Sequence, residues 1–148
     1  MLKLSKKVEY ALIALLYMDQ RSGEGLASTK EIAETFHVPA ELLGKVLQTL
    51  ARVNLLESVK GSHGGYRVRK PIDQLSVGEV IEAIEGPVLI VPCCDGSDTC
   101  RQHDTCNIRA PIQRIQEDVR NYIHQLPLAA FRQNAADART TVGKELRV

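Results

Sequence analysis

Outside one short segment the 148-residue chain has no cysteine: Cys93, Cys94, Cys100 and Cys106 all fall in VPCCDGSDTCRQHDTC, residues 91–106. That segment itself lacks the C-x₂₋₄-C pairs that structural zinc sites usually show. No run approaches the roughly twenty apolar residues of a membrane span, so a transmembrane helix is not expected. The N-terminus, MLKLSKKVEYALIALLYMD, has the positive charge and apolar run of a signal peptide. Glu9 interrupts the run, no small-residue cleavage site follows, and the apolar spacing is helical, so a cytoplasmic protein is expected. Stable disulfides are uncommon in that compartment. There is no phosphate-binding glycine loop and no convincing nucleophile–base set, which argues against an enzyme.

What is present reads as one globular domain with an appendage: 44% apolar and 25% charged residues. The net charge of +1 is uninformative, but its distribution is not. Residues 1–70 carry eleven Lys/Arg against seven Asp/Glu, and residues 71–148 carry eight against eleven. A basic first part suggests an anionic partner. Val8, Ala11, Leu12, Leu15 and Leu16 mark one face of a first helix, with Lys6, Lys7 and Glu9 turned away. Ser28 and Glu31 predict a capping box opening a second helix that buries Ile32, Ala33 and Phe36. Pro39 suits the first position of a third, whose apolar side is Leu42, Leu43, Val46, Leu47 and Leu50, closed at Asn54. LLESV and YRVRK flank KGSHGG as a β-hairpin with a basic, glycine-rich tip. A short helix follows in LSVGEVIEAIEG. Beyond the cysteines, Ile108, Ile112, Ile115, Val119, Tyr122 and Ile123 recur at helical spacing and predict a long helix with a dimer seam.

The predicted fold class is mainly α with a small β-hairpin: a winged helix-turn-helix at 1–72 plus a long dimerisation helix. A connecting helix occupies 73–91, the cysteine-rich loop 92–106, the dimerisation helix and a following short helix 107–134, and a flexible tail 135–148. Such a domain holds itself together with one face of the third helix and offers the other to the major groove. The candidate DNA-binding residues are Ser28, Thr29, Glu41, Lys45, Gln48 and Arg52, with Lys60, Ser62, His63 and Arg67 on the hairpin. Lys and Arg donate to guanine edges or phosphates, and Gln can pair with adenine. The expected partners are double-stranded operator DNA and a second copy of the chain.

Several stretches together resemble a known family, the IscR/NsrR-like winged-helix iron–sulfur regulators. They are the opening MLKLSKKVEYAL, the hairpin VKGSHGGYRVRKP, the following LSVGEVIEAIEG, and Cys94, Cys100 and Cys106, with five residues between each and the next. The resemblance covers roughly the first 130 residues. It implies a homodimer whose operator binding follows the state of a 2Fe–2S or 4Fe–4S cluster held by those three cysteines. It also includes cluster-free members. For the fourth ligand, IscR-like members place a histidine three residues after the last cysteine, where this chain has Arg109. NsrR-like members use an acidic residue of the partner's first helix, and Glu9 matches that place. His103, inside the loop, is the runner-up.

From the residues alone the four thiols leave three uses open: an iron–sulfur cluster, a zinc site or thiol redox switch, or no ligand at all. The functional expectation is a regulator sensing iron–sulfur or redox status and controlling cluster-assembly genes. Its alternatives are a nitric-oxide-responsive repressor and a zinc- or thiol-switch regulator. A small iron–sulfur electron-transfer protein is the reading from another class, and a basic hairpin and recognition helix speak against it.

Overall fold

The computed structural model describes residues 3–96 and 100–132, apart from the side chains of Cys94 and Asp95. The tail at 135–148 lies outside the described residues. The helix α1 spans Lys6–Gln20, α2 Thr29–Phe36 and α3 Ala40–Arg52. The strands β1 (Leu56–Val59) and β2 (Gly65–Val68) follow, then α4 (Val77–Glu85) and α5 (Arg109–Gln125). No helix among the described residues is long and apolar enough to cross a membrane.

The core forms where α1, α3 and α4 meet. Val8, Ala11, Leu12 and Leu15 enter it from α1, Leu43, Val46, Leu47 and Leu50 from α3, and Val77, Val80 and Ile81 from α4. These are the apolar positions of three amphipathic helices, so periodicity alone decides which face is inside. Two helix starts differ from the sequence expectation. Ser28 does accept from the Glu31 N–H at 3.1 Å. The Glu31 carboxylate, however, accepts from the Tyr17 hydroxyl at 2.7 Å and pairs with Arg21, so the capping box is half made. The complete box is at α4, where Ser76 and Glu79 exchange both bonds. Pro39 is not the first helical residue but the N-cap of α3, with extended backbone at ψ 119°.

Phe36 is also not buried. It is 39% exposed, edge-on to the Tyr17 ring at 5.4 Å. The chain turns sharply just after it, at His37, whose φ of 54° ends α2 in the left-handed region. Phe36 therefore caps the outside of the α1–α2 contact. Asn54 takes the left-handed geometry expected of it, with φ 64°.

The strands pair antiparallel in the register Leu56↔Val68 to Val59↔Gly65, as a hairpin with its tip between Val59 and Gly65. A third piece anchors it. Ala27 and Tyr66 exchange backbone bonds at 2.9 and 2.8 Å, joining the hairpin to the loop before α2. Gly65 is needed there, because a Cβ would meet the Ala27 carbonyl oxygen at 2.6 Å.

After α5 the chain returns to the winged domain. Leu128 N–H donates to Leu75 O at 2.8 Å, Val77 N–H donates to Leu126 O at 2.9 Å, and the Leu128 side chain is fully buried. A 3-10 turn, Leu128–Phe131, leads to Arg132, whose guanidinium binds both carboxylate oxygens of Asp19 at 2.8 Å and Asp73 at 3.0 Å.

Candidate nucleic-acid interface and cysteine segment

Helix α3 keeps Leu43, Val46, Leu47 and Leu50 in the core, and 3.6-residue geometry then turns Glu41, Lys45, Gln48 and Arg52 outward. All four are exposed and lie on one face. The Lys45 ammonium pairs with Glu41 at 3.1 Å, one turn earlier. Thr29 opens α2 and is half-buried, while the Ser28 hydroxyl is occupied as a cap. Lys60, Ser62 and His63 are exposed at the hairpin tip. Arg67 is exposed on β2 but paired across the strands with Glu57 at 2.8 Å. That hydrogen bond holds the Glu57 carboxyl below its usual range and raises the Arg67 guanidinium. Two of the three arginine and lysine candidates outside the tip, Lys45 and Arg67, are thus engaged by a neighbouring carboxylate before any nucleic acid arrives.

The cysteine segment is bracketed by elements rather than made of one. A 3-10 turn, Pro92–Asp95, carries Cys93 and Cys94, and turns at residues 101–105 separate Cys100 from Cys106. Cys93, Cys100 and Cys106 are half-buried free thiols. The Cys94 side chain lies outside the described residues. The His103 N–H donates to Cys100 O at 3.1 Å, and its ring Nδ1 is 2.9 Å from Asp104 and 3.4 Å from the Arg109 guanidinium. Glu9 sits in the first turn of α1, 2.6 Å from the Lys6 ammonium. Among the described residues no three His, Cys, Asp or Glu side chains stand close enough together to hold a metal ion.

The apolar stripe of α5 divides in two. Ile112, Val119 and Ile123 are half-buried, and Ile123 packs on the core. Ile108, Ile115 and Tyr122, seven residues apart, are 58%, 48% and 68% exposed. A seven-residue apolar line on the outer side of a helix is the pattern of a helix–helix seam.

The Rrf2 family, described as "Iron-dependent Transcriptional regulator", matches residues 4–134. The chain belongs to the Rrf2 family. Among its relatives, the HTH-type transcriptional regulator NsrR of Oceanobacillus iheyensis is 30% identical over 114 residues, covering 76% of this chain and 78% of that protein. The solved structure of CymR, the global cysteine regulator of B. subtilis, superposes with a TM-score of 0.66 at 25% identity, covering 86% and 94% of the two chains. T. potens IscR shares the fold, with a TM-score of 0.67 at 21% identity over 99% and 94%. This Rrf2 protein is therefore a winged-helix, DNA-binding transcription regulator and not an enzyme. Membership leaves no support for an electron carrier.

Two residues that organise this Rrf2 chain carry no obvious sequence signal. Gln116, on α5, is buried and binds two backbone groups of the segment leading into the cysteines. Arg132 closes the return of the chain onto α1. The i+7 line of Ile108, Ile115 and Tyr122 would have separated an outward from an inward face of α5 had it been read apart from the i+4 pairs.

Proposed function

We propose that the protein is a homodimeric, cytoplasmic regulator that reads operator DNA with α3 and the β1–β2 wing and senses iron–sulfur or redox status through its cysteine segment. The observation that carries the DNA half is the single exposed face of Glu41, Lys45, Gln48 and Arg52, beside an exposed hairpin tip bearing Lys60, Ser62 and His63. The outward line of Ile108, Ile115 and Tyr122 supports a second copy packed along α5. In a dimer the half-site spacing is set by the separation of the two α3 helices.

The donor chemistry of the cysteine segment fits a cluster, since thiolates are the ligands iron–sulfur clusters take. Cys94, Cys100 and Cys106 would hold it. Glu9 of the other copy, or else His103, would complete the set; Arg109 cannot, because a guanidinium does not deprotonate in proteins. Bound, the cluster would supply redox and gas-reactive chemistry. The half-buried placement of Cys100 and Cys106 protects their thiols while leaving solvent access. A ligand from the partner's α1 would link the cysteine segment of one copy to the reading domain of the other. Control of cluster-assembly genes is the first regulatory role proposed, and a nitric-oxide response the second.

A different sensing chemistry has a specific observation behind it. CymR, a relative with the same fold, is described as a cysteine regulator, so a zinc- or thiol-based switch is the second reading. Substitution separates the parts. Lys45→Ala and Gln48→Ala are expected to lose sequence preference in a gel shift, and Lys60→Ala to weaken all sequences alike. Unchanged binding in all three would remove α3 and the wing from the interface. Replacing Cys94, Cys100 and Cys106 by Ser, and measuring iron, sulfide and zinc, decides between the sensing chemistries.

A further inference from the structure

The segment that joins α4 to the cysteines has no helix or strand to fix it. It leaves α4 at Gly86, whose φ is 80°. It reaches the 3-10 turn of Cys93 through Val91, which is extended at φ −135° and ψ 146°. Between them, the buried side chain of Gln116 binds the segment twice. Its Oε1 accepts from the Ile90 N–H at 2.6 Å, and its Nε2 donates to the Val88 carbonyl. In an extended chain the carbonyl of one residue and the N–H two residues on lie along the same edge. A primary amide offers one donor and one acceptor along one edge, so Gln116 does here what the N–H and C=O of a single residue in a neighbouring parallel strand would do.

The placement matters as much as the bonds. Ile90 is three residues before Cys93, and α5 begins three residues after Cys106. Gln116 therefore ties the start of the cysteine segment to the helix that follows its end. The same helix carries the exposed line of Ile108, Ile115 and Tyr122, about a quarter-turn around from Gln116. We infer that Gln116 is a positioning residue, which holds Val88 and Ile90 on α5 and so sets where Cys93 and Cys94 stand relative to Cys100 and Cys106. Its effect on a bound cluster rests on the function proposed above; the pinning of the segment does not.

The test uses the full chain with Gln116→Leu, which removes both bonds, and Gln116→Glu, which keeps only the acceptor for Ile90. Gln113→Leu, an exposed neighbour on α5, is the control. Amide exchange across residues 88–91, above all at the Ile90 N–H, should rise by roughly tenfold in Gln116→Leu and less in Gln116→Glu, the factor one buried hydrogen bond carries. In the metal-free protein, the modification rate of the cysteines by an aromatic disulfide reagent should change in the same order. After reconstitution with iron and sulfide, the visible cluster band should decay faster, again in that order. Unaltered exchange would overturn the inference, and so would faster exchange with unaltered thiol rates. If the wild-type chain takes up no iron and sulfide, the cluster reading fails while exchange and thiol rates still judge the role of Gln116.

Discussion

The same substitution at two helix glycines should change stability in opposite directions. Gly78 lies in α4 where α5 crosses it, and a Cβ there would meet the His124 ring at 2.8 and 2.9 Å and its backbone nitrogen at 3.0 Å. Gly44 lies in α3, where a Cβ would find only the Thr29 methyl, at an ordinary 3.8 Å. Glycine to alanine in a helix interior gains about 0.8–1.0 kcal/mol of propensity. At Gly44 nothing opposes this, so Gly44→Ala should stabilise by most of that amount. At Gly78 the added atom sits inside contact distance of a neighbouring backbone. Overpacking of that kind costs about 1–3 kcal/mol, so Gly78→Ala should lose about 1 kcal/mol net, or roughly 3 °C in Tm. Gly78→Val should exceed the alanine loss several times over. Urea unfolding of all three variants, followed by circular dichroism, reads the signs directly. If Gly78→Ala is as stabilising as Gly44→Ala, the close α4–α5 crossing described here is wrong.

Other expectations concern the joints between elements. Leu128→Ala should cost about 2–4 kcal/mol, because the side chain is fully buried; a loss under about 0.5 kcal/mol would show that the segment after α5 is not part of the core. Burial alone would raise the Glu82 carboxyl, but hydrogen bonds from His124 and Arg120 outweigh it and its pKa is lowered from 4.5. The stability this gives is present above the unfolded value and lost as pH falls through the folded one. Glu82→Gln should therefore flatten the loss of unfolding free energy as pH falls below about 4.5. Releasing Arg67 with Glu57→Gln should strengthen DNA binding and steepen its salt dependence by roughly one phosphate contact per protomer; an unchanged slope would place Arg67 away from DNA. Arg132→Ala should speed proteolytic cutting between α5 and Arg132, seen by mass spectrometry, and no acceleration would reduce its contacts with Asp19 and Asp73 to surface decoration.

The helices were legible because their burial follows period. Val8, Ala11, Leu12 and Leu15, or Leu43, Val46, Leu47 and Leu50, could hardly face any other way. Phe36 was misread because a helix-end residue is covered only if the next element turns over it, and the chain turns away at His37. Glu31 was read as a local cap, but a tyrosine and an arginine from α1 compete for the same carboxylate. Local grammar cannot see a partner fourteen residues away. The same holds for Gln116, which looks solvated on a largely polar helix and is buried where the segment of Val88 and Ile90 comes to lie on it. The outward polar face of α3 was legible for the opposite reason: it is what remains once the core takes the apolar side. The ligand set around the cysteines rested on spacing and resemblance, and the described side chains bring Cys93, Cys100 and Cys106 into no common cluster of three.

The central proposal is that an iron–sulfur cluster held by the cysteines of this Rrf2 regulator sets its grip on DNA. The most direct measurement takes one anaerobically purified sample through three readings: visible spectrum, iron, sulfide and zinc content, and affinity for operator DNA selected with the same protein, before and after removal of the metal. Matched iron and sulfide, with an operator affinity that changes at least tenfold on removal, is the predicted result. A colourless protein, or one whose operator affinity is the same with and without its metal, would contradict it.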